Sequence, residues 1–349
     1  MKTVSIKSRT IGEEYPCVIA AEIGINHNGD LILAKKMIDA AKRAGVDAVK
    51  FQNYHTEDFI YDRSLTYTYE SQGLSVTESL YDMFKRYELT RGQLAELKEF
   101  CDKAGVIFFS TPTSPEGVAD LISINSPLLK NGSDHLLNLP LIEVMGRSDI
   151  PTILSTGMAT LAEIDDAVLA FRNTGGRDLI LLHCVSSYPT PAKDVHLRKI
   201  PIMAQIFNCP IGFSDHTCGV VASIGAVAMG ACFIEKHFTL DKNLPGPDHR
   251  LSADPEEMKK LVESIRTIEQ NLGKSEIGPT DSEMANRRDC RLSCAAAKNL
   301  KTGHKLDEDD IAIYRPGTGI PPKSRDLLIG RVLKCDIKKG HIFQLEDFS

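Results

Sequence analysis

The stretches Pro210-Ile-Gly-Phe-Ser-Asp-His-Thr217 and Cys232-Phe-Ile-Glu-Lys-His-Phe238 decide the fold, because each is a short apolar run that ends on a histidine. Six earlier apolar runs also stop on polar side chains. In chain order, those side chains are Glu22, Lys50 with Gln52, Ser110 with Thr111, Lys130 with Ser133, Ser155 with Thr156, and His183. Eight buried strands with polar groups at their C-terminal ends are typical of a TIM barrel, which builds its active site at that face.

The segments between these runs predict helices with defined ends. Asp30 can cap a helix that stops at Gly45, and Asp254 with Pro255 begins another that stops at Gly273. A repeated alternation of strand and helix predicts a parallel sheet. We therefore expect an α/β protein built on a (β/α)8 TIM barrel.

The chain is long enough for a second, smaller domain. It has 349 residues, whereas a (β/α)8 barrel needs roughly 250. A polar linker at 276–290 separates a predicted barrel domain at 1–275 from a domain at 291–349. Within this last domain, 299–311 aligns without gaps on 336–348, and Lys, Gly, His and Asp recur in register. The repeat predicts a small pseudo-symmetric domain of short strands and turns.

Composition excludes several functional classes. The net charge of -6 gives no basic surface for nucleic acid or an anionic membrane. The nine cysteines are scattered and form no CxxC pair, so neither a zinc ribbon nor a disulfide framework is indicated. The N-terminus lacks the apolar segment of a signal peptide, and the apolar stretch Val220–Ile234 is too short to span a membrane. We expect a cytoplasmic enzyme that binds neither nucleic acid nor a membrane.

His216 and His237 are the candidate metal ligands. They end neighbouring strands on the face where the site forms, and neutral imidazole is the commonest ligand of divalent transition ions. With only two protein ligands, an ion would keep open positions for water or substrate. The alternative is two ordinary polar residues at strand ends. Asp215 and Glu235 lie beside them in the sequence, and strand alternation is expected to turn both side chains away from the histidines.

Three lysines at strand ends allow two different chemistries. Lys50, Lys130 or Lys236 could form a Schiff base, as in a class I aldolase. The other hypothesis is an anion cradle, because Lys50 and Lys130 share their strand ends with hydroxyl and amide donors that suit a phosphate or carboxylate. These donors are Gln52, Thr111, Ser133, Ser155 and Ser214. Glu22, at the same mouth, is the candidate general acid or base.

The interval between Gln52 and Thr111 is longer than its neighbours and rich in tyrosine. A long loop after a barrel strand often covers the top face and takes part in function. A decorative insertion explains the interval equally well, and both interpretations stay open.

Eight short motifs occur in order along the chain. They are Glu22-Ile-Gly-Ile-Asn-His-Asn-Gly-Asp30, Lys50-Phe-Gln52, Ser110-Thr-Pro112, Leu154-Ser-Thr-Gly-Met158, His183-Cys-Val-Ser-Ser-Tyr-Pro-Thr-Pro191, Gly212-Phe-Ser-Asp-His-Thr217, Glu235-Lys-His-Phe-Thr-Leu-Asp-Lys242 and Gly246-Pro-Asp-His249. Together they resemble the sialic acid synthase family, the enzymes that make N-acetylneuraminate, legionaminate or pseudaminate. The resemblance extends to the C-terminal repeat, which is similar to the antifreeze-like (SAF) domain of those enzymes.

The resemblance implies a metal-dependent condensation of phosphoenolpyruvate with the open-chain aldehyde of an N-acyl-mannosamine-type sugar, with release of phosphate. The product would be a nine-carbon sialic acid, and N-acetylneuraminate is the expected one. The alternative is N,N′-diacetyllegionaminate, which is made from a 2,4-diacetamido-trideoxy sugar that differs from N-acetylmannosamine at two ring positions. The resemblance also implies Mn²⁺, with Mg²⁺ or Co²⁺ as other options, and a domain-swapped homodimer.

The resemblance further assigns roles to individual residues. His216 and His237 match the metal ligands, and Glu22 matches the carboxylate that handles a proton. The positions that match the phosphoenolpyruvate site are Lys50, Thr111, Lys130, Ser133, Ser155, Ser186 and Ser214. The positions that match sugar contacts are Gln52, Tyr188, Asp248 and Arg315, of which Tyr188 is also placed among the catalytic residues and Arg315 would reach into the partner's barrel.

One motif departs from the family pattern. Where the family commonly reads Lys-Ile-Gly-Ser-Gly-Glu, this chain reads Lys130-Asn-Gly-Ser-Asp-His135. Either Asp134 substitutes for the missing glutamate or His135 makes different contacts, and we place His135 among the expected catalytic residues. A milder departure is Ser186, where some members carry asparagine.

Overall fold

The computed structural model describes residues 3–349, which form two compact units. One unit runs to Gly273, and the other spans Lys274–Ser349. The segment 276–290, expected to be a polar linker, includes a short helix at Met284–Cys290.

The strands of the described residues are, in chain order, β1 (Val4–Ile6), β2 (Arg9–Ile11), β3 (Val18–Gly24), β4 (Ala48–Asn53), β5 (Thr66–Ser71), β6 (Leu74–Ser79), β7 (Ile107–Pro112), β8 (Leu129–Asn131), β9 (Thr152–Ser155), β10 (Leu179–Cys184), β11 (Ile211–Asp215), β12 (Phe233–His237), β13 (Ser293–Ala296) and β14 (Ile311–Tyr314). The α-helices are α1 (Leu31–Ala44), α2 (Thr56–Phe59), α3 (Leu80–Tyr87), α4 (Arg91–Ala104), α5 (Pro115–Ser123), α6 (Leu139–Arg147), α7 (Leu161–Asn173), α8 (Lys199–Phe207), α9 (Val221–Ala228), α10 (Pro255–Leu272) and α11 (Met284–Cys290).

Eight parallel strands close into a barrel, which confirms the predicted (β/α)8 fold. Their order around the barrel follows the sequence, from β3 and β4 through β7, β8, β9, β10 and β11 to β12, which pairs back onto β3. These are the eight apolar runs singled out in the sequence. Because the strands are parallel, their C-terminal residues all lie at one end of the barrel.

The helix ends have the caps that the sequence predicts. The side chain of Asp30 accepts hydrogen bonds from the backbone N–H groups of Ile32 and Leu33, and Gly45 ends α1 in the left-handed conformation at φ 93°. Asp254 caps α10 in a capping box with Glu257. Local sequence therefore sets where the barrel helices begin and end.

The β1–β2 hairpin packs against the N-terminal end of the barrel interior. Its Val4, Ile6 and Ile11 share one buried cluster with residues that begin the barrel strands, such as Val18 and Ile107. A larger apolar layer lies between the strands and the surrounding helices. The hairpin thus covers the N-terminal end of the barrel and leaves the C-terminal end open.

The tyrosine-rich insertion folds into a compact structure of its own. It contains α2, the antiparallel β5–β6 hairpin and α3. Tyr54, Phe59 and Phe84 pack edge to face, with ring centroids between 5.1 and 5.5 Å apart. Met83 and Tyr87 complete this buried aromatic cluster.

The second unit has the internal symmetry that the repeat predicts. Leu300 and Ile337, which are equivalent positions of the two repeats, pair with each other through their backbones. The His304 ring bonds Asp310 at 2.7 Å, and in the second repeat the His341 ring bonds Asp347 at 2.9 Å. The recurring histidine and aspartate therefore hold equivalent turns.

No helix among residues 3–349 is long and apolar enough to cross a membrane. The apolar stretch noted in the sequence divides into α9 and the first residues of β12.

We predict that Asp47→Ala destabilises the barrel by about 2 kcal/mol. The Asp47 carboxylate lies at the N-terminal end of the barrel and accepts from Arg9 at 2.6 Å, Arg266 at 2.9 Å and the backbone of Ile19 at 3.0 Å. Its removal leaves a buried N–H without a partner. Urea unfolding checks the prediction, and Glu143→Ala is the control, since its exposed pair with Arg147 contributes at most roughly 1 kcal/mol. Equal losses in both variants would contradict it.

Candidate active site at the mouth of the barrel

One cavity of about 500 Å³ opens at the C-terminal ends of the barrel strands. Every barrel residue to which the family resemblance assigns a role, together with His135, lines it. These are Glu22, Lys50, Gln52, Thr111, Lys130, Ser133, His135, Ser155, Ser186, Tyr188, Ser214, His216, His237 and Asp248. Arg315 belongs to the second unit, where it follows β14 and its side chain is exposed.

The floor of the cavity contains two buried pairs of opposite charge. The Lys50 ammonium lies 2.8 Å from Glu22 Oε2 and donates to Thr111 Oγ1 at 3.0 Å. The Lys130 ammonium lies 3.8 Å from Glu235 Oε1. All four charged side chains are almost fully buried. Such groups are tolerated only because each has an opposite charge beside it.

The pKa values of Lys50 and Glu22 are raised, whereas those of Lys130 and Glu235 are lowered. Burial opposes the charge of Lys50, but Glu22 and Glu235 hold its pKa above the usual value. For Lys130 burial dominates and lowers the pKa. Burial raises the pKa of Glu22 to about 7. The positive charge of Lys50 opposes this rise, and the negative charge of Glu235 adds to it. The two lysines outweigh burial at Glu235 and lower its pKa. Glu22 is therefore the carboxyl group that can exchange a proton near neutral pH.

A group of hydroxyl side chains surrounds the two lysines. Ser214 Oγ donates to Glu235 Oε1 at 3.0 Å, and Ser133 Oγ accepts from the backbone N–H of Gly157 at 3.0 Å. Ser155 Oγ is buried without a hydrogen-bond partner. A buried hydroxyl that faces a cavity without a partner is available to a ligand. This half of the cavity has the donors that a phosphate or carboxylate needs.

His216 and His237 lie together at the cavity wall, with ring centroids 5.5 Å apart. Nδ1 of His216 bonds the carbonyl oxygen of Val185 at 2.8 Å, which fixes its proton there and leaves Nε2 for a ligand. Burial and the neighbouring cations hold the pKa of His237 well below its usual value, so this ring is neutral. Nδ1 of His237 is also buried without a hydrogen bond.

These two imidazoles fit an ion held by two protein ligands. No cluster of three or more His, Cys, Asp or Glu side chains among residues 3–349 has the geometry of a metal site. Tyr188 covers the His216 ring at a centroid distance of 4.1 Å. The Asp248 carboxylate lies beside His237, with Oδ2 3.8 Å from Nδ1 of that ring. Burial raises the pKa of Asp248 to about 6.

The structure corrects the expectation for Glu235. Strand alternation places residues i and i+2 on the same face, so Glu235 faces the cavity together with His237. Asp215 does turn away, and its carboxylate accepts from Lys236 at 3.0 Å and from Ser223 at 2.6 Å. Because Glu235 is two residues before His237, strand alternation itself predicts that it faces the cavity.

Two further side chains differ from the expectation from sequence. His183 ends its apolar run, yet its ring points out of the barrel and bonds the carbonyl oxygen of Val195 at 2.6 Å. The next residue, Cys184, lines the cavity instead, with its sulfur 3.8 Å from Nδ1 of His216. Lys236, one of the three candidate Schiff-base lysines, is bound to Asp215 and to the carbonyl oxygen of Thr217 outside the cavity.

Another wall of the cavity is apolar and comes mainly from the tyrosine-rich insertion. Its side chains are Ile25, Tyr54, Phe59, Tyr67, Leu80, Met83 and Phe84. The hydroxyl of Tyr54 donates to the carbonyl oxygen of Phe84 at 3.2 Å, so it does not face a ligand as a free donor. The insertion therefore forms part of the site, which decides between its two interpretations.

We predict that Gly157→Ala weakens the binding of inorganic phosphate by roughly tenfold, which corresponds to one lost hydrogen bond. A Cβ atom at Gly157 would overlap the hydroxyl oxygens of Ser133 and Ser186 and push both out of place. Isothermal titration calorimetry checks the affinity. Gly92→Ala is the matched control, since its Cβ would meet nothing closer than 4.0 Å. Equal phosphate affinity in the two variants would show that the serines do not bind the anion.

Comparison with known proteins identifies the family of the chain. The NeuB family matches residues 37–277, and the SAF domain matches residues 293–349. The chain is 44% identical over 347 residues to an uncharacterized protein of Methanocaldococcus jannaschii, covering 99% of each chain. It is 39% identical to the N,N′-diacetyllegionaminic acid synthase of Legionella pneumophila, covering 97% of this chain and 96% of that protein.

A solved structure shows the same relationship. The N-acetylneuraminic acid synthetase of Leptospira borgpetersenii superposes with a TM-score of 0.74 at 35% identity, covering 82% of this chain and 95% of that one. The chain is therefore a member of the NeuB family and an enzyme of the sialic acid synthase type.

Proposed function

We propose that this enzyme condenses phosphoenolpyruvate with the open-chain aldehyde of an N-acylated amino sugar, consuming one water molecule and releasing phosphate by C–O cleavage. The observation that carries the proposal is the arrangement of the cavity, in which two buried lysines and a group of hydroxyls lie beside two histidines. Phosphoenolpyruvate carries a phosphate and a carboxylate, and both need charged or hydroxyl donors. The aldehyde needs a group that polarises its oxygen.

The lysine half of the cavity binds the anionic substrate. Lys50 and Lys130 neutralise its charge, and Ser133, Ser155 and Ser214 donate hydrogen bonds to its oxygens. Because these groups lie at the ends of barrel strands, their positions are fixed before the substrate arrives. Preorganised donors of this kind hold a reacting carbon in place more effectively than water can.

His216 and His237 would hold the divalent ion. We propose Mn²⁺, with Mg²⁺ and Co²⁺ as other options, since imidazole ligands suit transition ions. When bound, such an ion supplies a Lewis acid for the aldehyde oxygen. Asp248 and Gln52 also line the cavity and can bind the sugar hydroxyls. Glu22, with its pKa near 7, can give or take the proton that the condensation moves.

The apolar wall favours the 2,4-diacetamido-trideoxy sugar over N-acetylmannosamine. Once phosphoenolpyruvate fills the lysine half, the sugar extends along the side chains of Phe59, Leu80, Met83 and Phe84. A methyl group or an acetamido methyl gains from this contact, whereas a free hydroxyl loses its hydrogen bonds to water. The identity to the Legionella pneumophila synthase points to the same sugar. We therefore propose N,N′-diacetyllegionaminate as the product and N-acetylneuraminate as the alternative.

A Schiff-base aldolase is the competing class. Lys236 is engaged outside the cavity, and Lys50 is paired with Glu22. Lys130 is then the lysine available to a carbonyl, since burial lowers its pKa. Borohydride trapping of pyruvate on Lys130 would support this class.

The homodimer and the contact of Arg315 with a partner's sugar stay predictions.

We predict that phosphate release from phosphoenolpyruvate requires both a divalent ion and a sugar. The rate with the diacetamido sugar should exceed the rate with N-acetylmannosamine by roughly tenfold or more in kcat/KM, because the apolar wall cannot satisfy extra hydroxyls. A coupled phosphate assay with Mn²⁺, and with EDTA as the control, measures both requirements. Release that persists in EDTA would contradict the metal site, and equal kcat/KM values would contradict the choice of sugar.

We predict that His135→Ala lowers kcat by at least about tenfold and leaves the protein folded, because the ring lines the cavity where the family has a glutamate. Steady-state kinetics and thermal unfolding check the two parts. His55→Ala is the matched control, since this histidine does not line the cavity and is half exposed. Kinetics like those of the wild type would remove His135 from the reaction.

A further inference from the structure

The tip of the β5–β6 hairpin lies against the loop that carries Asp248. Ser71 Oγ, which is buried, accepts a hydrogen bond from the backbone N–H of Gly246 at 3.1 Å. Gln72 Nε2 donates to the backbone carbonyl of Asn243 at 3.1 Å. Glu70 forms an ion pair with Arg250 on the far side of the same loop. Three consecutive hairpin residues therefore hold a segment more than 170 positions away in the chain.

The loop has a second anchor on the barrel. Nδ1 of His249 bonds Thr239 Oγ1 at 2.7 Å, and Nε2 lies 3.3 Å from Oδ1 of Asn28. Gly246 has a φ of 145°, so this point of the loop has a backbone that other residues rarely adopt. Asp248 lies between the two anchors, beside His237. The position of its carboxylate thus depends on both of them.

We propose that Ser71 and Gln72 are positioning residues for sugar binding, which they support by fixing the Asp248 loop against the hairpin. The inference rests on the proposed function for the assignment of Asp248 to the sugar. The same hairpin places Tyr67 in the cavity wall, so docking of the tip completes the sugar half of the site. The residues proposed to bind phosphoenolpyruvate come from the C-terminal ends of the barrel strands and the loops that follow them.

The turn of the hairpin allows a substitution that removes the contact without weakening the hairpin. Gln72 and Gly73 have φ values of 52° and 76°, as in a type I′ turn. Asn-Gly is the preferred sequence for that turn, so Gln72→Asn suits the backbone better than the natural residue. The asparagine side chain is one methylene shorter and does not reach the Asn243 carbonyl. Ser71→Ala removes the hydroxyl oxygen that accepts the hydrogen bond from the Gly246 N–H.

The test compares Ser71→Ala and Gln72→Asn with Ser75→Ala, which changes an exposed serine on the same hairpin. We expect each of the first two variants to raise the KM for the sugar by roughly three- to tenfold, the effect of one hydrogen bond. The KM for phosphoenolpyruvate should stay unchanged. Hydrogen exchange at the Gly246 amide should become faster in Ser71→Ala and stay as in the wild type in Ser75→Ala.

The outcomes separate this inference from the proposed function. An unchanged sugar KM in both variants of an active enzyme would overturn the inference alone. Equal increases in both KM values would also overturn it, since they would indicate a general loss of structure. A wild-type protein that releases no phosphate with either sugar would contradict the proposed function and, with it, the role given to Asp248.

Discussion

The site depends on four charged groups buried together in the barrel mouth. An isolated ammonium or carboxylate costs several kcal/mol to bury, so Lys50 and Lys130 persist there only because Glu22 and Glu235 lie beside them. The pairing is unequal: burial raises the pKa of Glu22 to about 7, whereas Glu235 stays ionised beside both lysines. A partly protonated Glu22 leaves net positive charge on the cavity floor. That charge attracts an anionic substrate without any change in the fold.

Two kinds of structure surround this cluster. Closed barrel strands fix the lysines, hydroxyls and histidines, and the β1–β2 hairpin covers the opposite end of the barrel. The proposed sugar side is made of loops and of the insertion, and the tip of the β5–β6 hairpin is bonded to the Asp248 loop. Strand ends thus hold the proposed anion site, while loops, which vary more readily than strands, form the proposed sugar site.

The sequence was sufficient to predict the barrel, its helix caps and the residues that gather at its mouth, because parallel strands bring their C-terminal ends together whatever the loops do. It failed where the direction of a single side chain decides. Glu235 lies two residues before His237 and faces the cavity, contrary to the expectation for it, and at the end of β10 the cavity is lined by Cys184 and not by the more polar His183. The apolar wall could not be predicted, since Phe59 and Phe84 reach the cavity only after the insertion folds.

The most direct test of this account is a crystal structure with phosphoenolpyruvate bound. We predict that its phosphate and carboxylate contact Lys50, Lys130 and the serine hydroxyls, and that its reactive methylene carbon faces the side of the cavity where His216 and His237 lie. Phosphoenolpyruvate bound along the apolar wall, or a pyruvate carbon covalently attached to Lys130, would contradict the anion cradle on which the account rests.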